Sequence, residues 1–207
     1  TGIIAIKLKE GDELVDVVVT KAGDELVLST AAGMAIRFSE ADARPMGRNT
    51  SGVKGINLSK GDALVGMVVV EPGATLLTAT EHGFGKRTPF GVSTATSGDL
   101  AENGDAAGEE EGSEGSSSFR YRTQNRGGKG LRDIKTTSRN GRVVGIACVD
   151  DDDELLMMTA RGKIQRIKAS DVSTIGRNTQ GVNIMTLDAE DTLTAIVQVP
   201  VEDRDEA

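Results

Sequence analysis

At 207 residues the chain has room for one domain or two, and with aromatics at only 2% and no tryptophan its core must come from Val, Ile, Leu, Met and Ala. A single cysteine, Cys148, excludes an intrachain disulfide framework and a CxxC metal site, and a single histidine, His82, excludes a multi-histidine centre. The net charge of −8 argues at first against a polyanionic partner, yet seven acids and no base lie between Ser93 and Ser118; without that tract the charges nearly balance, and the placement of the bases matters more than the total.

In chain order, alternating or continuous apolar runs predict four short strands at residues 3–8, 14–20, 25–30 and 34–39. A second set falls at 53–58, 64–70, 75–80 and 84–89, and a third at 131–136, 143–149, 154–159 and 163–168. A half set at 182–187 and 193–199 precedes a charged tail, 202–207. Turn formers separate the strands: Glu10-Gly11-Asp12, Lys60-Gly61-Asp62 and Asn140-Gly141. Residues 91–118 are rich in Gly, Ser, Ala and acids, with almost no large apolar side chains, and are expected to be disordered. The run Asp150-Asp151-Asp152-Asp153-Glu154 lacks EF-hand spacing and is expected to be a solvated hairpin turn. Cys148, inside the apolar run 143–149, is expected to be a buried, inert thiol. Because Thr1 stands directly before a strand-like run, the chain is expected to be part of a longer protein.

The sets repeat one another. Thr30-Ala31-Ala32-Gly33-Met34-Ala35-Ile36-Arg37 returns as Thr80-Glu81-His82-Gly83-Phe84-Gly85-Lys86-Arg87 and again as Thr159-Ala160-Arg161-Gly162-Lys163-Ile164-Gln165-Arg166. The glycines are 50 and then 79 residues apart, one period plus an insertion of 29 that coincides with the acidic tract. A second block, Gly47-Arg48-Asn49-Thr50-Ser51-Gly52, recurs as Gly176-Arg177-Asn178-Thr179-Gln180-Gly181, with Gln124-Asn125-Arg126-Gly127-Gly128-Lys129-Gly130 in register between them. Four strands per period is the pattern of propeller-like blades. The expectation is a single all-β domain over 1–207 with repeats at about 2–52, 53–130, 131–181 and 182–201. A β-sandwich of about fourteen strands is the competing architecture, but it gives no reason for a regular period.

The heptad Gln124–Gly130, QNRGGKG, resembles the box motif QRRGGKG of the C-terminal domain of DNA gyrase A, departing from it only at Asn125. The connectors GRNTSG and GRNTQG and the segments TEHGFGKRTP and RNGRVVG resemble the same family, and the resemblance covers the chain outside 91–118. It implies a β-pinwheel, a six-bladed relative of the propeller with strands exchanged between blades, whose rim wraps DNA so that the holoenzyme introduces negative supercoils. It implies about four of those four-stranded blades here, the distal ones. It also implies that QNRGGKG is the looser, late copy of the box, the main box lying upstream. The partners implied are duplex DNA, the ATP-hydrolysing B subunit, and the N-terminal part of the gyrase A subunit. The place implied is the cytoplasm, on the nucleoid.

Wrapping needs a curved track of cations and backbone donors and little base reading. The bases that recur with the repeat are the candidates. Arg37, Lys86, Arg87, Lys163 and Arg166 lie on the fourth strands, and Arg48, Lys54 and Arg177 at the connectors. Arg120, Arg122 and Arg132 cluster around the heptad. Within the heptad, Gly127 and Gly128 are expected to aim amides at a phosphate, Arg126 to add a bidentate contact, Lys129 a point charge, and Gln124 and Asn125 further hydrogen bonds, with Gly130 counted in the same DNA-binding set. The alternative is that GRxxxG is only the turn between blades.

Tyr121 sits between two arginines and a threonine, as a topoisomerase nucleophile does, but beside an insertion rather than on a helix near a metal site, and is expected to pack or stack. No Walker loop, nucleophile elbow or HExxH occurs, so no cofactor is expected and the chain alone is not expected to be an enzyme. No apolar run approaches the ~20 residues of a membrane span. Two other readings stay open. One is the corresponding subunit of topoisomerase IV; the other is a propeller-like protein-interaction module, whose bases would be scattered among acids rather than banded.

Overall fold

Short Thr-x-x-Gly loops make local hairpins the elementary unit of this molecule. In the computed structural model, which describes residues 2–92 and 117–199, the strands are β1 (Glu25–Thr30), β2 (Met34–Ser39), β3 (Leu64–Val69), β4 (Thr75–Thr80), β5 (Phe84–Pro89), β6 (Leu131–Arg132), β7 (Val143–Val149), β8 (Glu154–Thr159), β9 (Ile164–Lys168), β10 (Val182–Asn183) and β11 (Leu193–Gln198). The hairpins are β1–β2, β4–β5 and β8–β9. Each closes in the same way: the N–H of Gly33, Gly83 or Gly162 donates to the carbonyl of Thr30, Thr80 or Thr159 at 2.9–3.0 Å. These glycines have φ of +82°, +75° and +84°, where a side chain would be strained.

The hairpins become sheets by exchange between repeats. Sheet 1 has the order β3-β1-β2-β6, sheet 2 the order β10-β5-β4-β7, and sheet 3 the order β11-β8-β9. Every sheet takes its hairpin from one repeat and the strand beside the hairpin's first arm from the next repeat. Sheets 1 and 2 take their fourth strand from the repeat after that. All pairings between these strands are antiparallel. The predicted strands at 25–30, 34–39, 75–80, 84–89, 143–149 and 154–159 form with those bounds.

Others do not, for a physical reason. Residues 3–8, 14–20 and 53–58 contain no strand. By the exchange rule their partners would be hairpins of earlier repeats, and no such hairpin lies among the described residues. Ile3, Ile4, Val17 and Val19 are accordingly exposed by 68–91%. The predicted 131–136 and 182–187 shrink to two-residue strands, because each pairs with a hairpin edge only where it crosses it. Three sheets therefore stand among the described residues where repeat counting gave about four blades. Of the acidic insertion expected at 91–118, residues 93–116 lie outside the described residues, as does the tail at 202–207, while Ser117 and Ser118 begin a short 3-10 turn, Ser117–Phe119.

Burial follows from stacking the sheets face to face. Leu76 belongs to one apolar cluster, with Val27, Phe90 and Tyr121, while its neighbour Leu77 belongs to another, with Leu155, Met157, Met185 and Leu193. Adjacent residues of a strand point to opposite faces, so sheet 2 is covered on both sides, by sheet 1 and by sheet 3. Each of these side chains contributes about 1.5–3 kcal/mol by leaving water. In sheet 3 the pattern relaxes to strict alternation along β8, and β9 is mostly exposed. The acidic run is the predicted turn: the Asp153 N–H donates to the Asp150 carbonyl at 3.2 Å and the Asp150 N–H to the Asp153 carboxylate at 2.8 Å. Burial pushes the half-buried Cys148 thiol up from 9.0 to about 11, which keeps it in its unreactive form.

Candidate nucleic-acid interface

The heptad is a loop running along the edge of sheet 1. Thr123 bridges Arg37 in parallel, the Gln124 N–H donates to the Arg37 carbonyl at 2.8 Å, and β6 then pairs with β2. Of its glycine amides, that of Gly127 is turned to the protein's own backbone. The Gly127 N–H donates to the Gly55 carbonyl at 2.7 Å, and the Gly128 carbonyl accepts from the Asn57 N–H at 2.8 Å. Arg126 is half-buried and turned to the same segment, its Nε 2.9 Å from the Asp42 carbonyl and its Nη1 bonded to the Lys54 carbonyl. Asn125 and Lys129 are exposed, Gln124 is half-buried, and Gly130 passes beside Ala35 of β2. Lys129 and Arg132 line one cleft of about 300 Å³ together with Thr30, Met34, Ile56 and Thr136.

The next connector behaves alike. Arg177 donates from Nε to the Arg120 carbonyl at 2.7 Å, from Nη2 to Ser117 at 2.8 Å and from Nη1 to Arg132 at 3.3 Å, and its guanidinium lies 5.9 Å from the Tyr121 ring. Around it Arg120, Arg122 and Arg132 are exposed. Burial lowers the Arg177 pKa from its ordinary value; Tyr121 and Asp133 oppose that, while the nearby Arg122 and Arg120 reinforce it. Four arginines thus crowd one connector, and Lys54 and Lys129 stand at the one before. Arg48 is exposed at the first.

The fourth-strand bases divide differently. Lys86 is fully buried, Arg37 is 3% and Arg87 6% exposed, so the structure does not bring these three to a surface that DNA could touch. Arg37 binds Glu25 and the carbonyls of Phe90, Gly91 and Tyr121. Arg87 binds Asp151 and the Val172 carbonyl. Arg166, at the same place in the third hairpin, is exposed but paired with Glu154, as Lys163 is with Asp188 at 2.9 Å. The covering segment that buries Arg37 and Arg87 has no counterpart at Arg166 among the described residues.

Sequence reasoning missed the centre of the site. Lys86 Nζ lies 2.6 Å from Asp133 and 2.6 Å from the Thr88 hydroxyl. Asp133 also accepts from the Tyr121 hydroxyl at 2.5 Å and from the Thr78 hydroxyl at 2.7 Å. Tyr121 and Asp133 flank the heptad, so this buried network pins both of its stems against sheet 2. The only sequence signal was a lysine amid a run whose two faces are both covered. Burial first, then Asp133, raises the Tyr121 hydroxyl well above 10. An unfolded phenol ionises near 10 whereas the folded one keeps its proton, so stability present below pH 10 is lost as pH climbs beyond it. Tyr121 is the sole tyrosine. Its near-ultraviolet phenolate absorbance is expected to appear only together with alkaline loss of circular dichroism; ionisation near pH 10 in the folded protein would refute this placement.

Similarity to known proteins agrees with this arrangement. The profile of the family described as DNA gyrase C-terminal domain, beta-propeller, matches residues 1–21, 24–71, 74–91, 120–150 and 153–200. The chain belongs to the DNA gyrase C-terminal domain family. The DNA gyrase A subunit of Clostridium acetobutylicum is 45% identical over 206 residues, covering 100% of this chain and 21% of that protein. A solved DNA gyrase A C-terminal domain superposes with a TM-score of 0.76 at 27% identity, covering 95% of this chain and 58% of the other. The C-terminal domain of a DNA topoisomerase IV gives the same TM-score at 23% identity, over 96% of this chain and 54% of that one, a likeness of fold. The chain spans about a fifth of the length of the curated relatives it matches. The fold is the all-β pinwheel of that family, and among the described residues no helix is long and apolar enough to cross a membrane.

Proposed function

We propose that this domain binds and wraps duplex DNA without reading its sequence, as a non-catalytic part of a gyrase A subunit whose holoenzyme introduces negative supercoils. The observation that carries the reading is the gathering of exposed bases at successive connectors: Lys54 and Lys129 at one, Arg120, Arg122 and Arg132 at the next. Smoothly bending a few tens of base pairs costs on the order of 1–10 kcal/mol. One cation cluster does not offset that, but clusters repeated along an edge do, each displacing condensed counterions from phosphates. In this reading the ATP-hydrolysing B subunit, with the rest of the gyrase A polypeptide, makes up the assembly, and its place is the cytoplasm, on the nucleoid.

The test is binding of a ~100–150 bp duplex across a salt series, with relaxed-plasmid linking number as the wrapping readout. Replacing Arg120, Arg122, Lys129 and Arg132 together by Ala is expected to reduce the salt slope by about 3–4, close to 0.9 per phosphate contact, and to abolish the change in linking number. An unaltered slope would turn the reading toward a protein-docking module. Retained binding with no linking-number change in the parent chain would favour a topoisomerase IV type of role.

A further inference from the structure

We infer that Arg126 and Arg177 are positioning residues: their guanidinium groups staple the backbone that carries the surface cations, instead of meeting phosphates themselves. The inference rests on the DNA-binding reading and reassigns two of its residues. Arg126 and Arg177 occupy the same place in the repeat, and their hydrogen bonds repeat as well. Arg126 binds the Lys54 carbonyl and Arg177 the Arg132 carbonyl. Lys54 stands six residues after Arg48, and Arg132 six residues after Arg126. Each connector arginine therefore reaches back to the position six residues beyond the previous connector arginine, and at both places that position is an exposed base.

The second bond repeats in kind. Arg126 Nε donates to Asp42 at 2.9 Å, and Arg177 Nε donates to Arg120 at 2.7 Å, each a carbonyl of the segment leaving the preceding hairpin. Arg177 adds Ser117 through Nη2, so all three of its nitrogens are bonded to backbone carbonyls. A planar fork bonded this way spans two chain segments, with Nε and Nη1 of Arg126 and all three nitrogens of Arg177 committed to backbone carbonyls. Lysine keeps the charge at such a place but offers one compact ammonium that cannot span both segments. Sequence identity between the connectors thus reflects a fastening, and the DNA-facing charges are those on the fastened stems: Lys54 at one connector, Arg120 and Arg132 at the next.

The experiment compares the 207-residue chain with its Arg126→Lys and Arg177→Lys variants by amide hydrogen exchange without DNA, and by duplex binding across a salt series. In Arg126→Lys the Gly127 and Asn57 amides, bonded to Gly55 and Gly128 at 2.7 and 2.8 Å, report the staple. In Arg177→Lys the reporter is the Asn178 amide, 2.7 Å from the Asp133 carbonyl. Exchange about tenfold faster at these amides is expected, since local opening governs it. Duplex affinity is expected to fall several-fold while the salt slope stays within about half a unit, because the charge count is unchanged. Native exchange rates in both variants would overturn the assignment, and so would faster exchange with unaltered affinity. If the parent chain binds no duplex, the DNA reading fails while the exchange measurement still decides whether the staple exists.

Discussion

Asp133→Ala is expected to lower the unfolding free energy by about 3–5 kcal/mol and the melting temperature by on the order of 10 °C. Lys86 has no exposed surface, and its ammonium depends on Asp133 at 2.6 Å for its counter-charge. Removing the carboxylate also takes the acceptor from the Tyr121 and Thr78 hydroxyls and leaves the Lys86 ammonium with only the neutral Thr88 hydroxyl. Burial already lowers the Lys86 pKa, and Asp133 opposes it. In the variant that opposition is gone, so folded Lys86 sheds its proton at a lower pH than the unfolded lysine, near 10.5. The unfolded state then binds more protons over that window, and the variant is expected to regain stability as pH rises through it. The double variant Lys86→Met, Asp133→Asn removes both buried charges but keeps an acceptor oxygen for only one of the two hydroxyls, which donate to different oxygens of Asp133, and should recover about half of the loss. Urea unfolding at several pH values measures all three quantities. A loss below about 1 kcal/mol in the single variant would mean that the pair is not a closed, buried one.

Gly33→Ala and Gly83→Ala are expected to cost about 3 kcal/mol or more each, whereas Gly162→Ala should cost only the strain of a left-handed alanine, about 1–2 kcal/mol. The three glycines close equivalent hairpin loops with nearly equal φ. What differs is what crosses them. A Cβ on Gly33 would lie 2.2 Å from the Ile134 carbonyl oxygen and one on Gly83 2.2 Å from that of Met185, while one on Gly162 meets nothing within 4 Å. Those crossing strands are also bonded there: Asp133 and Ile134 donate to the Gly33 carbonyl, and Ile184 and Met185 to that of Gly83. A methyl group would lift the strand and break these bonds. Equal losses at all three positions, read by thermal unfolding, would show that the crossing does not contribute.

The hairpins were legible in the sequence because their information is local. A Thr-x-x-Gly loop sits between two short apolar arms, and every arm of β4, β5 and β8 falls where alternation and turn chemistry put it. Residues 3–8, 14–20 and 53–58 read as strands just as well, yet pairing across repeats is a non-local fact that period-two alternation does not carry. The connector residues of the candidate site were legible by recurrence, and Arg120, Arg122, Lys129 and Arg132 are indeed exposed. Recurrence misled at Arg37, Lys86 and Arg87. A base on a strand was read as a base on a rim, while sheets 1 and 2 are covered in a way that leaves these positions inside. Arg166, chemically identical and in the same register, is exposed because sheet 3 has no fourth strand among the described residues.

The exchange of strands also sets a timetable for biosynthesis. The β1–β2 hairpin is complete once residue 39 has left the ribosome, but the strand that pairs with β2 begins at Leu131, some ninety residues later. At ~5–20 residues per second that is about 5–20 s during which a finished hairpin presents an open edge. The acidic insertion lies within that interval and lengthens it. During it β2 can be joined by whichever partner emerges first, and the strand that follows directly, β3, is already claimed by the opposite edge of β1. The nascent sheet therefore grows away from its hairpin in one direction before it closes in the other.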